Sequence, residues 1–272
     1  MTARRLPGAA FAVLVVLTVA AFFITQHLKT VAPPILWPQL DPGGINPVGG
    51  RVCPYYDEGP ISYRRTHLSF ELGDTSDTVE VDVVSASGRL VDTISSGRPL
   101  AKLQRAYFAW DGRNSRGRIV SDGIYYFRVV LEHEGFPEEL TQHPLRIRTH
   151  DPKPRLIGVN VSGDRPGTPE RAAVLTAGRG DVVIHFEPDH YRGAEILIYR
   201  RRPDGSLSQV DSFYTSAHTG RATWNGRIGS RSAPAGKYVV GLRVKDIACN
   251  LGTTPARTAP APDSTRVEVT IR

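Results

Sequence analysis

The sequence predicts an all-β chain, two tandem β-sandwiches that follow one N-terminal transmembrane helix. Three observations predict it. A short pattern occurs twice, as Trp110-Asp111-Gly112 with Asp122-Gly123-Ile124-Tyr125, and as Trp224-Asn225-Gly226 with Ala235-Gly236-Lys237-Tyr238. Each copy leads into an alternating run, at 126–130 and 239–244, and a repeated turn-plus-strand signature marks two copies of one β domain. Gly (26) and Pro (21) are spread between short apolar stretches, and beyond residue 30 helical periodicity is nearly absent.

The N-terminus sets the compartment. Residues 9–24 carry no charge, and with Gly8 and Thr25 the run reaches about 18 residues, just enough for a helix to cross a hydrocarbon core. Arg4 and Arg5 precede it, which keeps the N-terminus cytoplasmic and exports the rest. The membrane contact is expected through residues 8–25, within a signal-anchor segment 1–28. The alternative is secretion after cleavage of a signal peptide. Against it, Thr18-Val19-Ala20 is a weak small-x-small site, Pro33 follows Thr30-Val31-Ala32, and the apolar run exceeds the usual signal core of about 7–15 residues.

Residues 29–63 read as a tether, because Pro33-Pro34, Pro38, Pro42-Gly43-Gly44, Pro47 and Gly49-Gly50 oppose regular structure. Trp37, Tyr55 and Tyr56 hint that part of it packs on something. The first domain is expected at 64–150. Leu68-Ser69-Phe70-Glu71-Leu72 and Val79-Glu80-Val81-Asp82-Val83 alternate, a turn at Ser87-Gly88 leads into 90–94, 106–110 enters the first signature, and 145–148 closes the sheet. Asp151-Pro152-Lys153-Pro154 is a short link stiffened by two prolines. The second domain is expected at 151–272, with strands at 181–187, 194–199 and 210–213 and a last alternating run at 264–271.

The net charge of +7 admits an anionic partner. The cations are scattered (Arg64-Arg65; Arg113, Arg116 and Arg118; Arg200-Arg201-Arg202), without stacking aromatics at regular spacing, so nucleic acid is not expected. A solvated basic surface is the plain reading, and an anionic wall polymer the sharper one. Cys53 and Cys249 fit an oxidising compartment. The loop holding Cys249 should face the first domain if the sandwiches stack end to end. Cys53 reaches it only if the preceding chain runs back along that domain, since bridged Cα atoms lie within about 7 Å. The sequence thus argues more against the bridge than for it, and Cys53 and Cys249 stand as a candidate disulfide only.

In the signature, Trp110 ends a strand and can plug the space between two sheets. Asp111-Gly112 permits a tight turn, since Gly tolerates positive φ and Asp bonds its own backbone. Tyr125, just inside the next strand, suits a tyrosine corner, its ring packed inward and its hydroxyl on nearby backbone. The run from Trp110 to Tyr125 resembles the FlgD Ig-like domain, the immunoglobulin-like module named after the flagellar hook-capping protein. The second copy departs from that pattern, with Asn225 for the Asp and Pro234-Ala235 before Gly236. The stretch 244–250 resembles the Val-x-Asp-x-Ala-Gly-Asn ending of bacterial immunoglobulin-like repeats, with Cys249 where Gly is usual. The resemblance implies an all-β chain of two tandem immunoglobulin-like, fibronectin-III-like sandwiches in an exported bacterial protein. Trp110, Asp111, Gly112, Asp122, Gly123, Tyr125, Trp224, Asn225, Gly226, Gly236 and Tyr238 would then be structural. A likeness of fold licenses architecture, not function.

No constellation for catalysis, cofactor or metal emerges. His185 and Glu187 share the polar face of an alternating strand, and Asp189 and His190 follow in a turn. Asp246 and Asn250 are expected to order their loop rather than hold calcium, which takes six or more oxygens. Glu138-Glu139 reads as a solvated hairpin tip. Tyr107, Tyr191 and Tyr214 are candidates for a glycan-binding face, with strand packing as the plainer reading. The expectation is a non-catalytic spacer or protein-interaction module at the bacterial cell envelope, its partner an envelope protein. The alternative is a module that binds carbohydrate or a cell-wall polymer.

Overall fold

Alternating segments become strands because a pleated chain sends successive side chains to opposite faces, so an apolar-polar alternation buries one face. A computed structural model describes residues 6–30, 33–54, 60–73, 75–133, 135–162, 168–187, 193–255 and 266–272. The sheets fall into two successive pairs.

The first pair is built from β1 (Ile35–Asp41), β2 (Gly44–Ile45), β5 (Thr66–Leu72), β6 (Asp77–Ser85), β7 (Leu90–Leu100), β8 (Ala106–Trp110), β9 (Gly123–Leu131), β10 (Phe136–Glu139) and β11 (Leu145–Ile147). A small hairpin of β3 (Val52–Pro54) and β4 (Pro60–Ser62) sits beside it. One sheet runs β1-β5-β8; the other runs β2-β11-β9-β6-β7, with β10 also on β9. Leu68, Phe70, Phe108 and Trp110 of the first sheet close on Val81, Val83, Phe127 and Val129 of the second.

The second pair uses β12 (Leu156–Val161), β13 (Ala172–Leu175), β14 (Val182–Phe186), β15 (Gly193–Arg201), β16 (Leu207–Thr215), β17 (Arg221–Trp224), a minor hairpin of β18 (Arg227–Ile228) and β19 (Arg231–Ser232), then β20 (Gly236–Lys245), β21 (Leu251–Thr254) and β22 (Val267–Ile271). Its orders, β12-β14-β17 and β13-β22-β20-β15-β16 with β21 on β20, repeat those of the first pair strand for strand. Even the parallel contact recurs, β2 with β11 and β13 with β22.

The stretch 29–63 is not the tether expected. β1 pairs along β5 from Ile35↔Leu72 to Asp41↔His67, and β2 crosses to the opposite sheet. An edge strand needs hydrogen bonds on one side only and so tolerates Pro38, whose place is marked by a register irregularity between Leu36 and Gln39. The hydroxyl of buried Thr66 donates to the carbonyl of Pro42 at 2.7 Å and pins the crossing. Trp37 is exposed, and Tyr55 and Tyr56 lie outside the described residues. Glu138 and Glu139 are likewise in a strand, β10, rather than at a loop tip.

α1 (Leu6–Thr30) precedes these sheets, and every side chain described on it, at 11–23, is exposed. Among the described residues no helix is long and apolar enough to cross a membrane, so the expected transmembrane helix is not carried by the structure.

Candidate functional site

The two tryptophan turns have the same construction. Trp110 Nε1 donates to Arg113 O at 2.7 Å, and Trp224 Nε1 to Arg227 O at 2.8 Å. Each indole is buried against the following tyrosine, with ring centres 5.7 Å apart for Trp110–Tyr125 and 5.6 Å for Trp224–Tyr238. Tyr125 Oη donates to Ser121 O at 2.9 Å, and Tyr238 Oη to Pro234 O at 2.7 Å. Asn225 takes over the turn-closing role of Asp111, since each accepts the amide two residues on at 3.2 Å, although the ion pair of Asp111 with Arg113 has no equivalent there. Gly112 and Gly226 have φ of 77° and 67°, and a Cβ on Gly226 would lie 2.7 Å from Leu175. Gly112 abuts Pro47 in the same way. The two indoles and the two tyrosine rings pack into the cores of their sandwiches. Asp122 accepts the amide and hydroxyl of Thr149 at 2.9 and 2.7 Å, which ties the turn to the end of the first sandwich. Its carboxyl lies below the usual range, because bonds from Thr149 and His150 outweigh the opposing effect of burial.

The arrangement with no counterpart in a single sandwich is the junction. Cys53 and Cys249 form a disulfide, with Cα atoms 6.6 Å apart, and cluster with buried Tyr63. This corrects the expectation against the bridge. Because β1 runs along β5, the chain arrives at the end of the first sandwich that meets the second, and Cys53 arrives with it. Cys249 adopts φ 61°, the left-handed region that explains why Gly is usual in that motif position.

Beside the bridge lies a buried polar network. Asn46 Nδ2 donates to Asn250 Oδ1 at 2.7 Å. Asn250 Nδ2 donates to Arg148 O at 3.0 Å and to Asp246 Oδ2 at 2.9 Å. Asp246 Oδ1 accepts the amides of Ala248 and Asn250 at 2.9 and 2.8 Å. Asn46 Oδ1 accepts those of Val48 and Gly49 at 3.0 and 2.9 Å. Burial pushes the Asp246 carboxyl up against the pull of these bonds. Close packing completes the junction. A Cβ on Gly44 would lie 2.6 Å from Ile247, and one on Gly252 would run into the carbonyl of Pro152 in the link. The sequence reading had given Asp246 and Asn250 a loop-ordering role. It missed Asn46, Gly44 and Gly252, because nothing local marks a residue whose partner lies 100 to 204 positions away.

The remaining candidates are dispersed. His185 is half-buried on β14 and bonds Asn160; burial, then the charge of Arg221, lowers its pKa. Glu187 is exposed 4.0 Å from Arg155, and Asp189 and His190 lie outside the described residues. Among the described residues no three His, Cys, Asp or Glu gather to hold a metal. Tyr107 on β8 and Tyr214 on β16 are exposed on different sandwiches, and Tyr191 lies outside the described residues, so no shared aromatic face is assembled among those described.

Comparison with known proteins gives a bounded result. No curated protein matches the chain. Among solved structures, FlgD from P. aeruginosa is 18% identical, over 57% of this chain and 89% of that one, with a TM-score of 0.25. A marsupial T cell receptor is 12% identical over 77% of this chain and 70% of its own, with a TM-score of 0.31. The dimeric latent PorU of Porphyromonas gingivalis is 9% identical over 86% of this chain and 20% of its own, with a TM-score of 0.26. The sequence itself is more specific over a shorter span: residues 62–135, which hold the first tryptophan turn and its tyrosine corner, match the family model of the FlgD Ig-like domain.

Proposed function

We propose that the chain is a non-catalytic spacer and protein-interaction module of the bacterial cell envelope, carried on an N-terminal membrane anchor with its sandwiches outside the cytoplasm. The observation that supports this reading best is the junction. A disulfide, a buried amide pair and the close contact of Gly44 with Ile247 fix one sandwich on the next, which suits a part that sets a distance or presents a surface. The FlgD Ig-like match supports an interaction role, and the disulfide supports an oxidising compartment. The anchor is motivated by α1, whose described side chains at 11–23 carry no charge and are all exposed, a pattern that suits lipid surroundings. The second domain, 151–272, is taken as a diverged copy of the first, on the strength of its repeated strand order.

Protease added to intact cells that produce the full-length chain tests the reading. Digestion of the sandwiches with the N-terminal segment left in the membrane fraction is expected. Protection of the sandwiches until the cells are lysed would overturn it. The second reading, a module that binds a wall polymer, draws on one observation, a group of cations at the far end of the second sandwich.

A further inference from the structure

We propose that the tip of the second sandwich binds a soluble, phosphate-bearing polyanion through Arg200, Arg202 and Lys237. These residues line a shallow groove of about 820 Å³ with Arg201, Ser208 and Gly236. Arg201 is held by Glu268 at 3.2 Å. No ion pair within 4.0 Å involves Arg200, Arg202 or Lys237 among the described residues. Asp204 in the adjoining turn accepts the amide and hydroxyl of Ser206 at 2.9 and 2.7 Å instead. Glu268 beside Arg201 and the Asp204 charge near Arg202 offset only part of the positive charge of the four cations; the remaining like charges repel one another, and an anion reverses the sign of that interaction. Guanidinium forks meet phosphate oxygens in pairs, and a lysine adds a point charge.

The fold does not require these cations. Ser85 of the first sandwich lies opposite Tyr125 as Arg200 lies opposite Tyr238, and Ile124 precedes its corner tyrosine as Lys237 does. The hairpin closed by Ser85 N on Arg89 O is closed two residues later in the second sandwich, by Arg202 N on Ser206 O, and the extension carries Arg201 and Arg202. The positions of Arg200 and Lys237 are thus polar and apolar in the first sandwich, whose corresponding end carries its cations at other places, on Arg89, Arg116 and Arg118. Separate cations around an open groove suit a ligand with repeated charges better than a single ion.

Position selects the source of phosphate. β1 starts at Ile35, just after α1, and runs towards the junction, where Gly44 meets Ile247. In the second sandwich Lys245 and Asn250 lie at the junction, and Gly236, at the start of the same strand, lies at the opposite end. The groove is therefore at the end of the stack farthest from α1, which favours a soluble polymer over the headgroups of a membrane that holds the helix.

The proposal rests on the reading of the chain as an interaction module, and its test is independent of the protease experiment. Full-length chain is titrated with inorganic polyphosphate, with polyglutamate, and with vesicles containing anionic phospholipid. The parent is compared with R200Q/R202Q/K237Q and with R89Q/R116Q/R118Q, which removes the same charge from the corresponding end of the first sandwich. All six side chains are exposed, and melting curves verify that each variant is folded. Polyphosphate binding should weaken about tenfold or more in the tip variant and about twofold or less in the other, where only long-range charge is lost. Equal losses, no binding by the parent, equal affinity for polyglutamate, or tip-dependent binding to vesicles stronger than to polyphosphate would each overturn the assignment. A flat titration beside accessible sandwiches on intact cells sinks the polyanion site alone.

Discussion

Asn46 Nδ2 donates to Asn250 Oδ1 at 2.7 Å across the junction, although the two residues are 204 positions apart. Asn250 also donates to Arg148 O and Asp246 Oδ2, so one side chain ties together both sandwiches and its own loop. N250A would leave the Asn46 amide, the Arg148 carbonyl and one Asp246 oxygen short of partners in a buried site. A loss of about 2–3 kcal/mol is expected, read as a lower midpoint in urea unfolding. A midpoint equal to the parent's would show that the network contributes nothing to the coupling.

The disulfide gives a second test. It closes a separation of 196 residues, for which chain entropy alone sets a contribution of up to about 5 kcal/mol. C53S/C249S should unfold at lower temperature than the oxidised parent and at the same temperature with or without reductant. The left-handed backbone of Cys249 adds a finer prediction. C53S/C249G should exceed C53S/C249S in stability by about 1 kcal/mol, because Gly accepts φ 61° without steric cost. Equal stability of the two variants would show that the backbone there is not strained.

The contrast between β5 and β1 shows what was legible in the sequence. Leu68, Phe70 and Leu72 alternate with polar neighbours on a strand that pairs on both sides, and the period is plain. β1 buries Ile35 but leaves Trp37 exposed and carries Pro38, so the pattern is lost on an edge that bonds on one side only. The misreading of Cys53 followed from it, since a free tether gives no reason for that residue to reach Cys249. The tryptophan turns were legible because Trp110, Gly112 and Tyr125 act within 15 residues of one another. The junction was not, because Gly44 and Gly252 matter only for what distant segments, Ile247 and the link at Pro152, bring against them.

Trp110 and Trp224 should behave alike if the two turns are equivalent. Each is buried, packed at a tilt against its tyrosine and bonded to the carbonyl three residues on. Truncation to Ala should cost about 3–5 kcal/mol in either sandwich. W110F and W224F keep most of the apolar contact but leave a carbonyl without its indole donor, and should cost less than the corresponding Ala variants. A melting temperature unchanged by W110A would overturn the role assigned to the turn.

Asp77 and His133 make stability depend on pH in a direction that can be fixed. Asp77 is buried, which by itself raises its pKa, but the ring and amide of His133 and the amide of Thr78 bond its carboxylate and hold it below the ordinary 3.8. His133 is exposed; its hydrogen bond to Asp77, and then the charge of that group, lift it above 6.5. For Asp77, whose folded value is depressed, the contribution is complete above about 3.8 and disappears as pH falls through the folded value. For His133, whose folded value is raised, it is complete below about 6.5 and disappears as pH rises through the folded value. The pair therefore stabilises the first sandwich most between about pH 4 and 6.5. The parent should melt at lower temperature as pH is raised from 6 to 9. H133N should show a smaller change over that range, because the group that titrates there is gone. An identical pH dependence in H133N would assign the effect to another group.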